Sequence, residues 1–228
     1  KTLLSYESDK TKQLVSSLAQ NEKQLRKDLQ NKELSRQRLN KAIEDIIKRE
    51  IEAARKKEEE RLRALGQKQP TGTTRPKDGE FELTPEAKAL GNDFAANQGK
   101  LPWPVEKGFV SQKFGDQPHQ IQPKLIVHSN GVEITTESGS SARAVFAGTV
   151  YSIQILSPIN TLVMIQHGDF ITVYQNLSSV SVKKGDKVSI KQTIGKIRTN
   201  NSTGKTALKF SVLQNDTFLN PQSWIYNM

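Results

Sequence analysis

The first 65 residues mix apolar and charged side chains with the period of a helix. Leucine and isoleucine recur mostly three, four or seven positions apart, at Leu14, Leu18, Leu25, Leu29, Leu39, Ile43, Ile46, Ile47 and Ile51. This spacing predicts one long helix with a narrow apolar stripe. Because so narrow a stripe cannot build a globular core, we expect residues 1–65 to be a coiled-coil segment that packs against a partner helix.

The composition changes after this helix. Residues 66–79 are rich in Pro, Gly and Thr and contain no large apolar side chain, so a flexible linker is predicted over residues 66–83. Thr84, Pro85 and Glu86 are residue types that respectively cap a helix, occupy its first position and complement its dipole. A short helix is therefore predicted to open the last region, residues 84–228.

From Phe109 onward the pattern changes to short apolar runs separated by turn residues. Gly168 and Gly185 stand where turns are expected, and glycine supplies the positive φ that many turns need. Short strands at this spacing are typical of an antiparallel β-sandwich or small barrel, so the fold class is a long helix followed by an all-β domain. The predicted strands are 109–113, 124–127, 131–135, 144–155, 161–167, 170–176, 193–198 and 206–213.

Charge and cysteine content restrict the function. The formal net charge is +10 with a pI near 9.7, which favours nucleic acid, anionic lipid or anionic cell-wall polymer as partners, although a solvated basic surface is an equally good interpretation. The absence of cysteine excludes disulfides, cysteine–zinc sites and thiol catalysis. No apolar run reaches the ~18–20 residues that a membrane span needs.

Several short motifs follow one another in the C-terminal half. They are Leu-Pro-Trp-Pro-Val at 101–105, Phe-Gly at 114–115, Asn-Gly-Val-Glu-Ile at 130–134, Ala-Gly-Thr-Val at 147–150, Gln-His-Gly at 166–168, Val-Tyr-Gln-Asn-Leu at 173–177, Val-x-x-Gly-Asp-x-Val at 182–188 leading to Ile-Gly at 194–195, and Asn-Pro-x-x-Trp at 220–224. Together they resemble the LytM domain of M23-family zinc endopeptidases over residues 101–224.

The resemblance also locates the positions at which active family members carry their zinc ligands and catalytic histidines. Active members carry a His-x-Gly-x-Asp motif, in which Ser129 of this chain replaces the histidine and Glu133 replaces the aspartate. They also carry a His-x-His pair on a late strand, and Lys209 replaces the metal-binding histidine of that pair. Ala207 and Asn176 replace the other two active-site histidines. A hydroxyl, one carboxylate and an ammonium do not form a zinc site, so we expect no metal, no cofactor and no catalysis.

Three histidines leave one alternative open. A one-residue bulge would bring His128, which precedes Ser129, near Glu133, although an exposed histidine at a strand end is the simpler interpretation. His119 lies in a Pro- and Gln-rich loop and His167 in a hairpin, and neither has the spacing of a ligand.

A coiled coil joined to a LytM domain without zinc ligands resembles the EnvC-like murein hydrolase activators. The resemblance implies a periplasmic, non-catalytic protein that binds and activates peptidoglycan amidases during cell division. It further implies that the coiled coil engages an FtsEX-type cell-division ABC transporter, and that a helical arm covers the amidase-binding groove until the transporter moves it.

Two sets of residues are candidates for these roles. The partner-binding groove is predicted to contain Asn130, Glu133, Ile159, Asn176, Ala207, Lys209 and Leu213, and the restraining arm is predicted to use Ile43, Ile46, Ile47 and Ile51. The alternatives are an active zinc endopeptidase, a simple peptidoglycan-binding module and a nucleic-acid-binding protein. The last is disfavoured because the predicted barrel lacks a basic face with interleaved aromatic residues.

Overall fold

A computed structural model of the chain describes residues 2–64, 83–118, 126–157, 160–215 and 217–228. The chain divides into two compact units, residues 1–46 and 47–228. Helix α1 (Thr2–Ala64) confirms the predicted long helix. Neither of the described helices combines the length and the apolar character that crossing a bilayer requires.

The apolar stripe of α1 is partly exposed. Leu14 and Leu18 are 62% and 59% exposed in the first half of the helix. Of the arm isoleucines, Ile43 is buried and Ile46 is half-buried, whereas the side chains at positions 47 and 51 lie outside the described ones. The predicted linker also falls outside the described residues, apart from its last position.

The short helix α2 (Pro85–Ala96) begins as the sequence predicts. Thr84 Oγ1 accepts a hydrogen bond from the Ala87 N–H at 3.2 Å, which satisfies one of the free donors at the helix start. A backbone hydrogen bond and the Thr84 side chain hold the pKa of Glu86 below its ordinary value. The helix ends at Asn97, whose Nδ2 donates to the Asp93 carbonyl at 2.8 Å.

Most of the rest of the described chain forms two antiparallel sheets. The strands are β1 (Phe109–Gln112), β2 (Gly115–Pro118), β3 (Ile126–Ser129), β4 (Val132–Thr136), β5 (Ser141–Arg143), β6 (Gly148–Ser157), β7 (Asn160–His167), β8 (Phe170–Val180), β9 (Lys187–Val188), β10 (Thr193–Ile197), β11 (Thr206–Gln214) and β12 (Thr217–Leu219). One sheet has ten strands in the order β1-β4-β11-β8-β7-β6-β9, with β10 paired to β5 and β8 and with β12 paired to β11, and the other contains β2 and β3. This architecture confirms the predicted antiparallel β domain.

One strand boundary differs from the prediction because a backbone N–H donates to a side chain and not to a neighbouring strand. The predicted strand from 144 begins only at Gly148, because Val145 donates its N–H to the Tyr174 hydroxyl at 3.0 Å instead of to a strand neighbour. Strands β2, β5, β9 and β12 were not predicted, and all are four residues or shorter. Burial raises the pKa of Tyr174 to about 12, so its hydroxyl stays neutral near physiological pH.

An aromatic stack joins α2 to the sheet. Phe94 is fully buried and stacks on His167, Phe170 and Trp224 with ring centroids 4.8–5.0 Å apart. The segment after α2 also bonds to the residues around Trp224, because Leu101 N–H donates to the Trp224 carbonyl at 3.2 Å. Stacked aromatic pairs add to the free energy of burial. This contact therefore fixes α2 on the β domain.

Candidate functional site

Ser129 ends β3, next to the turn that leads into β4. The Ser129 side chain is buried, and its hydroxyl donates to the Gly131 carbonyl at 2.8 Å. Gly131 itself lies against β11, where an added Cβ would stand 2.2 Å from Ser211 Oγ and 2.4 Å from the Phe210 carbonyl oxygen. The first ligand position therefore holds a hydroxyl that is hydrogen-bonded within the turn. Only glycine fits at position 131, between the turn and β11.

Glu133 lies on β4 with its carboxylate already engaged. Its Oε1 accepts hydrogen bonds from Lys205 Nζ at 2.7 Å and from Ser111 Oγ at 3.1 Å. The Glu133 side chain is 30% exposed and the Lys205 side chain 44%, so the ion pair lies at the surface of the domain. Glu133, the one residue at these positions whose side chain could bind a metal ion, thus has its charge neutralised by the ammonium of Lys205.

Lys209 lies between two polar partners in the register of the sheet. It is opposite Glu133 on β4 and opposite Gln175 on β8, and it is half-buried. Directly opposite residues of antiparallel strands have their Cβ atoms about 4.5–5.5 Å apart. Glu133, Lys209 and Gln175 therefore form a row across three neighbouring strands, and we call this row with Lys205 the charged row.

Asn176 has a structural role beside this row. Its φ is 71°, a left-handed conformation that asparagine tolerates better than most residues. Its Nδ2 donates to the Ala207 carbonyl at 2.6 Å, and its N–H donates to Asn160 Oδ1 at 3.1 Å. The side chain thus connects β8 to β11 at the point where active family members would place an imidazole.

The remaining groove residues are placed differently from one another. Ala207 is buried opposite Thr135 on β4. Leu213 follows on the same face of the strand and has no exposed surface. Asn130 is half-buried in the turn before β4, and Ile159 lies outside the described residues.

Three buried polar atoms on this face have no partner in the part of the chain that the structure describes. They are Thr135 Oγ1, Gln175 Oε1 and Ser211 Oγ, and the last two belong to side chains only 2% and 1% exposed. Gln175 and Ser211 share the sheet face of Lys209, since Gln175 is opposite Lys209 and Ser211 follows Lys209 by two positions. A buried polar group without a hydrogen bond costs about 1–3 kcal/mol.

The two histidines in the described part of the chain do not complete a metal site. His128 does not approach Glu133 through a bulge, because β3 pairs with β2 in regular register and the His128 ring contacts Asp116 Oδ1 at 2.5 Å and Asn130 Oδ1 at 2.6 Å. His167 is buried, and desolvation lowers its pKa to about 4. His119 lies outside the described residues.

The donor set at these positions does not fit zinc. A zinc peptidase needs three protein ligands drawn from imidazole, carboxylate or thiolate. Here the three ligand positions hold a hydroxyl bonded to the chain, a carboxylate paired with Lys205, and the ammonium of Lys209. Across the described ranges, no three His, Cys, Asp or Glu side chains are grouped so that they would hold a metal ion.

Comparison with known proteins assigns the fold of this region. Residues 127–221 match the sequence profile of Peptidase family M23. The C-terminal part of the chain is therefore similar to this family, and its antiparallel β domain has the LytM/M23 type of fold. An uncharacterized protein of Haemophilus influenzae is 29% identical over 100 residues, which are 43% of this chain and 24% of that protein. Stage II sporulation protein Q of Bacillus subtilis is 30% identical over 102 residues, which are 42% and 36% of the two chains.

Solved structures with M23-type domains are also similar. The SpoIIQ–SpoIIIAH pore forming complex matches with 25% identity, covers 57% of this chain and 92% of that one, and gives a TM-score of 0.48. Csd3 of Helicobacter pylori matches with 27% identity over 56% and 35% of the two chains, with a TM-score of 0.47. The chain spans between a quarter and about a third of the length of the two curated relatives.

Sequence reasoning missed the partners of the site residues. Ser111 and Lys205 bind the Glu133 carboxylate and belong to none of the family motifs, whereas Gln175, which is opposite Lys209, lies within the motif at 173–177. An alternating strand pattern places Lys205, Ala207 and Lys209 on one face, so the position of Lys205 near the site could have been predicted from the sequence. Ser111 was not, because the pairing of β1 with β4 is set by the fold.

Proposed function

We propose that this chain is a non-catalytic activator of peptidoglycan (N-acetylmuramoyl-L-alanine) amidases that acts in the periplasm during daughter-cell separation. The observation that carries the proposal is the charged row: Lys209 and the Glu133–Lys205 ion pair stand where an M23 peptidase needs zinc ligands. A divalent cation would meet two ammonium groups there and a carboxylate that is already neutralised. The domain keeps a peptidase fold around a centre suited to contact and not to hydrolysis.

A groove of this composition fits a helix contributed by a partner. Amphipathic helices bind grooves that combine apolar surface with a few polar groups. A sequence relative, stage II sporulation protein Q, occurs in a complex with SpoIIIAH that is described as pore forming, which supports a protein-binding role for this type of domain.

The helical unit is proposed to carry the regulation. The exposed leucines 14 and 18 of α1 offer an apolar stripe to the FtsEX-type cell-division ABC transporter or to a neighbouring coiled-coil helix. The arm, which includes Ile43, Ile46, Ile47 and Ile51, is proposed to restrain the groove until the transporter moves it.

Restraint by the arm can be tested in the full chain. Replacing Ile46 and Ile47 by aspartate should weaken any apolar contact of the arm and raise amidase stimulation in the absence of the transporter. A matched pair, Leu14→Asp and Leu18→Asp, adds the same charge to the same helix and should leave that stimulation unchanged. Equal stimulation by both double variants would argue against self-restraint.

Activation itself is tested by co-purification with murein amidases and by release of dye from labelled murein. We expect the chain to bind an amidase and to increase its dye release, with no release by the chain alone. Lys209→Glu, which reverses one charge of the row, should reduce both binding and stimulation. Cleavage by the chain alone with stoichiometric zinc would establish an endopeptidase, and retention on murein without amidase binding would establish a peptidoglycan-binding module.

A further inference from the structure

The positive charge of the C-terminal region is concentrated in one segment. Residues 67–228 contain 17 Lys and Arg against 12 Asp and Glu. Six of these cations and a single anion, Asp186, lie between positions 178 and 198, which leaves eleven residues of each sign elsewhere in the region. The whole net charge of +5 thus belongs to this segment, which we call the basic lobe.

The cations of the basic lobe lie at the surface. Lys183, Lys184, Lys187, Lys191 and Lys196 are all exposed. A tight turn places Lys183 beside Asp186, because the Lys183 N–H donates to Asp186 Oδ2 at 2.8 Å and the Asp186 N–H donates back to the Lys183 carbonyl at 3.1 Å. The one carboxylate of the lobe is therefore held in the turn, and its charge is outnumbered.

The lobe is held firmly to the barrel. Gly185 N–H donates to the Val150 carbonyl and Lys191 N–H donates to the Ala144 carbonyl, both at 2.8 Å. Val188 and Ile194 are buried beneath the surface lysines, at 4% and 0% exposure. The lysines therefore project from a fixed backbone, and binding a partner costs little backbone ordering.

An exposed apolar residue lies among these cations. Ile190 is 50% exposed and is adjacent to Lys191 in the chain. Lys187 is only three residues away, so its Cα lies within about 11 Å of the Ile190 Cα even if the chain were fully extended. An exposed apolar side chain flanked along the chain by exposed lysines suits the interface of a bilayer, where the apolar side chain enters the acyl boundary and the cations meet the headgroups.

We propose that the basic lobe docks on an anionic phospholipid bilayer, with Ile190 entering the interface. Lysine binds lipid phosphate as a mobile point charge, whereas nucleic-acid recognition favours arginine forks and aromatic platforms. Between positions 178 and 198 there is one arginine and no aromatic residue. This contact is independent of the amidase-activator proposal, because the lobe contains none of the proposed groove residues.

Co-sedimentation with vesicles tests the proposal in the full chain. Vesicles of equimolar phosphatidylglycerol and phosphatidylcholine should bind the chain at low ionic strength, and vesicles of phosphatidylcholine alone should not. One lysine near an anionic surface contributes about five-fold in affinity, so the triple change Lys183→Gln, Lys187→Gln and Lys191→Gln should weaken binding by about 100-fold. Ile190→Ser should weaken it by up to about ten-fold, since part of an isoleucine side chain is no longer buried.

A matched variant separates the lobe from overall charge. Lys88→Gln, Lys100→Gln and Lys107→Gln also remove three exposed lysines from the same unit, and this variant should bind vesicles like the unchanged chain. Equal loss in both triple variants would overturn the proposal, because net charge alone would then explain binding. Absence of binding to the anionic vesicles, or binding only to purified murein or to duplex DNA, would also overturn it.

Discussion

Replacing His167 by glutamine should remove an acid-dependent loss of stability from the β domain. His167 is fully buried, its Nδ1 donates to the Ala147 carbonyl at 2.7 Å, and its Nε2 lies 2.9 Å from Thr172 Oγ1. Because the Ala147 carbonyl can only accept, Nδ1 carries the proton and Nε2 accepts from threonine. Desolvation of the charged form lowers the pKa from 6.5 to about 4, against the weaker opposite effect of the Ala147 bond.

The sign and size of the effect follow from this pKa. The folded protein resists protonation of His167, whereas the unfolded chain takes up the proton near pH 6.5. The contribution of His167 to the free energy of unfolding is therefore complete above about pH 6.5 and is lost as the pH falls toward 4. Each pKa unit corresponds to 1.36 kcal/mol, so the shift from 6.5 to about 4 amounts to a loss of about 3 kcal/mol.

Urea unfolding at stepped pH measures this loss. Trp224 is buried in the same aromatic stack as His167, so tryptophan fluorescence reports on the relevant region. We expect His167→Gln to be less stable than the unchanged chain at pH 7, because it loses the stack on Phe94, but to lose about 3 kcal/mol less between pH 7 and 4. Glu106→Gln, at an exposed carboxylate outside the aromatic stack, is the control and should retain the full dependence. Parallel curves for the unchanged chain and His167→Gln would refute the reasoning.

Three further changes test the site. Gly131→Ala should destabilise the domain by about 2–4 kcal/mol, seen as a lower thermal midpoint, because its Cβ would overlap Ser211 Oγ and the Phe210 carbonyl. Asn176→Ala should cost about 2 kcal/mol in urea unfolding, from left-handed strain and the lost bond to Ala207, and Asn176→Gly should recover the part due to strain; equal losses would contradict the conformational argument. Glu133→Gln should change stability by less than about 1 kcal/mol, because its ion pair with Lys205 is partly exposed; a larger loss would show that the pair supports the fold.

Sequence reasoning predicted those elements that local patterning controls. The 63-residue helix follows from the spacing of leucine and isoleucine, and the start of α2 follows from Thr84 and Pro85. The short strands were missed because nothing local favours them: β2 contains Gly115 and Pro118, which are uncommon in strands. Such strands exist because a neighbour pairs with them, and that neighbour is distant in sequence.

The residues of the candidate site could be predicted from the sequence, but the side chains that contact them could not. Family motifs located Ser129, Glu133 and Lys209, and the alternation of β11 placed Ala207 and Lys209 on one face. Burial was harder to predict. Leu213 has the same alternation as Lys209, yet the first is fully buried and the second half-buried, since burial depends on what each sheet position packs against.

The bond between the segment after α2 and the region around Trp224 has a consequence for folding. Trp103 Nε1 donates to the Tyr226 carbonyl at 3.0 Å, across 123 positions of sequence. Contacts of such high sequence separation slow folding, because a long loop must close before they stabilise anything. The first residues of the β domain therefore wait for the last ones to be synthesised. Until then the hydrogen bond from Trp103 cannot form, so the domain closes only once its last residues are available.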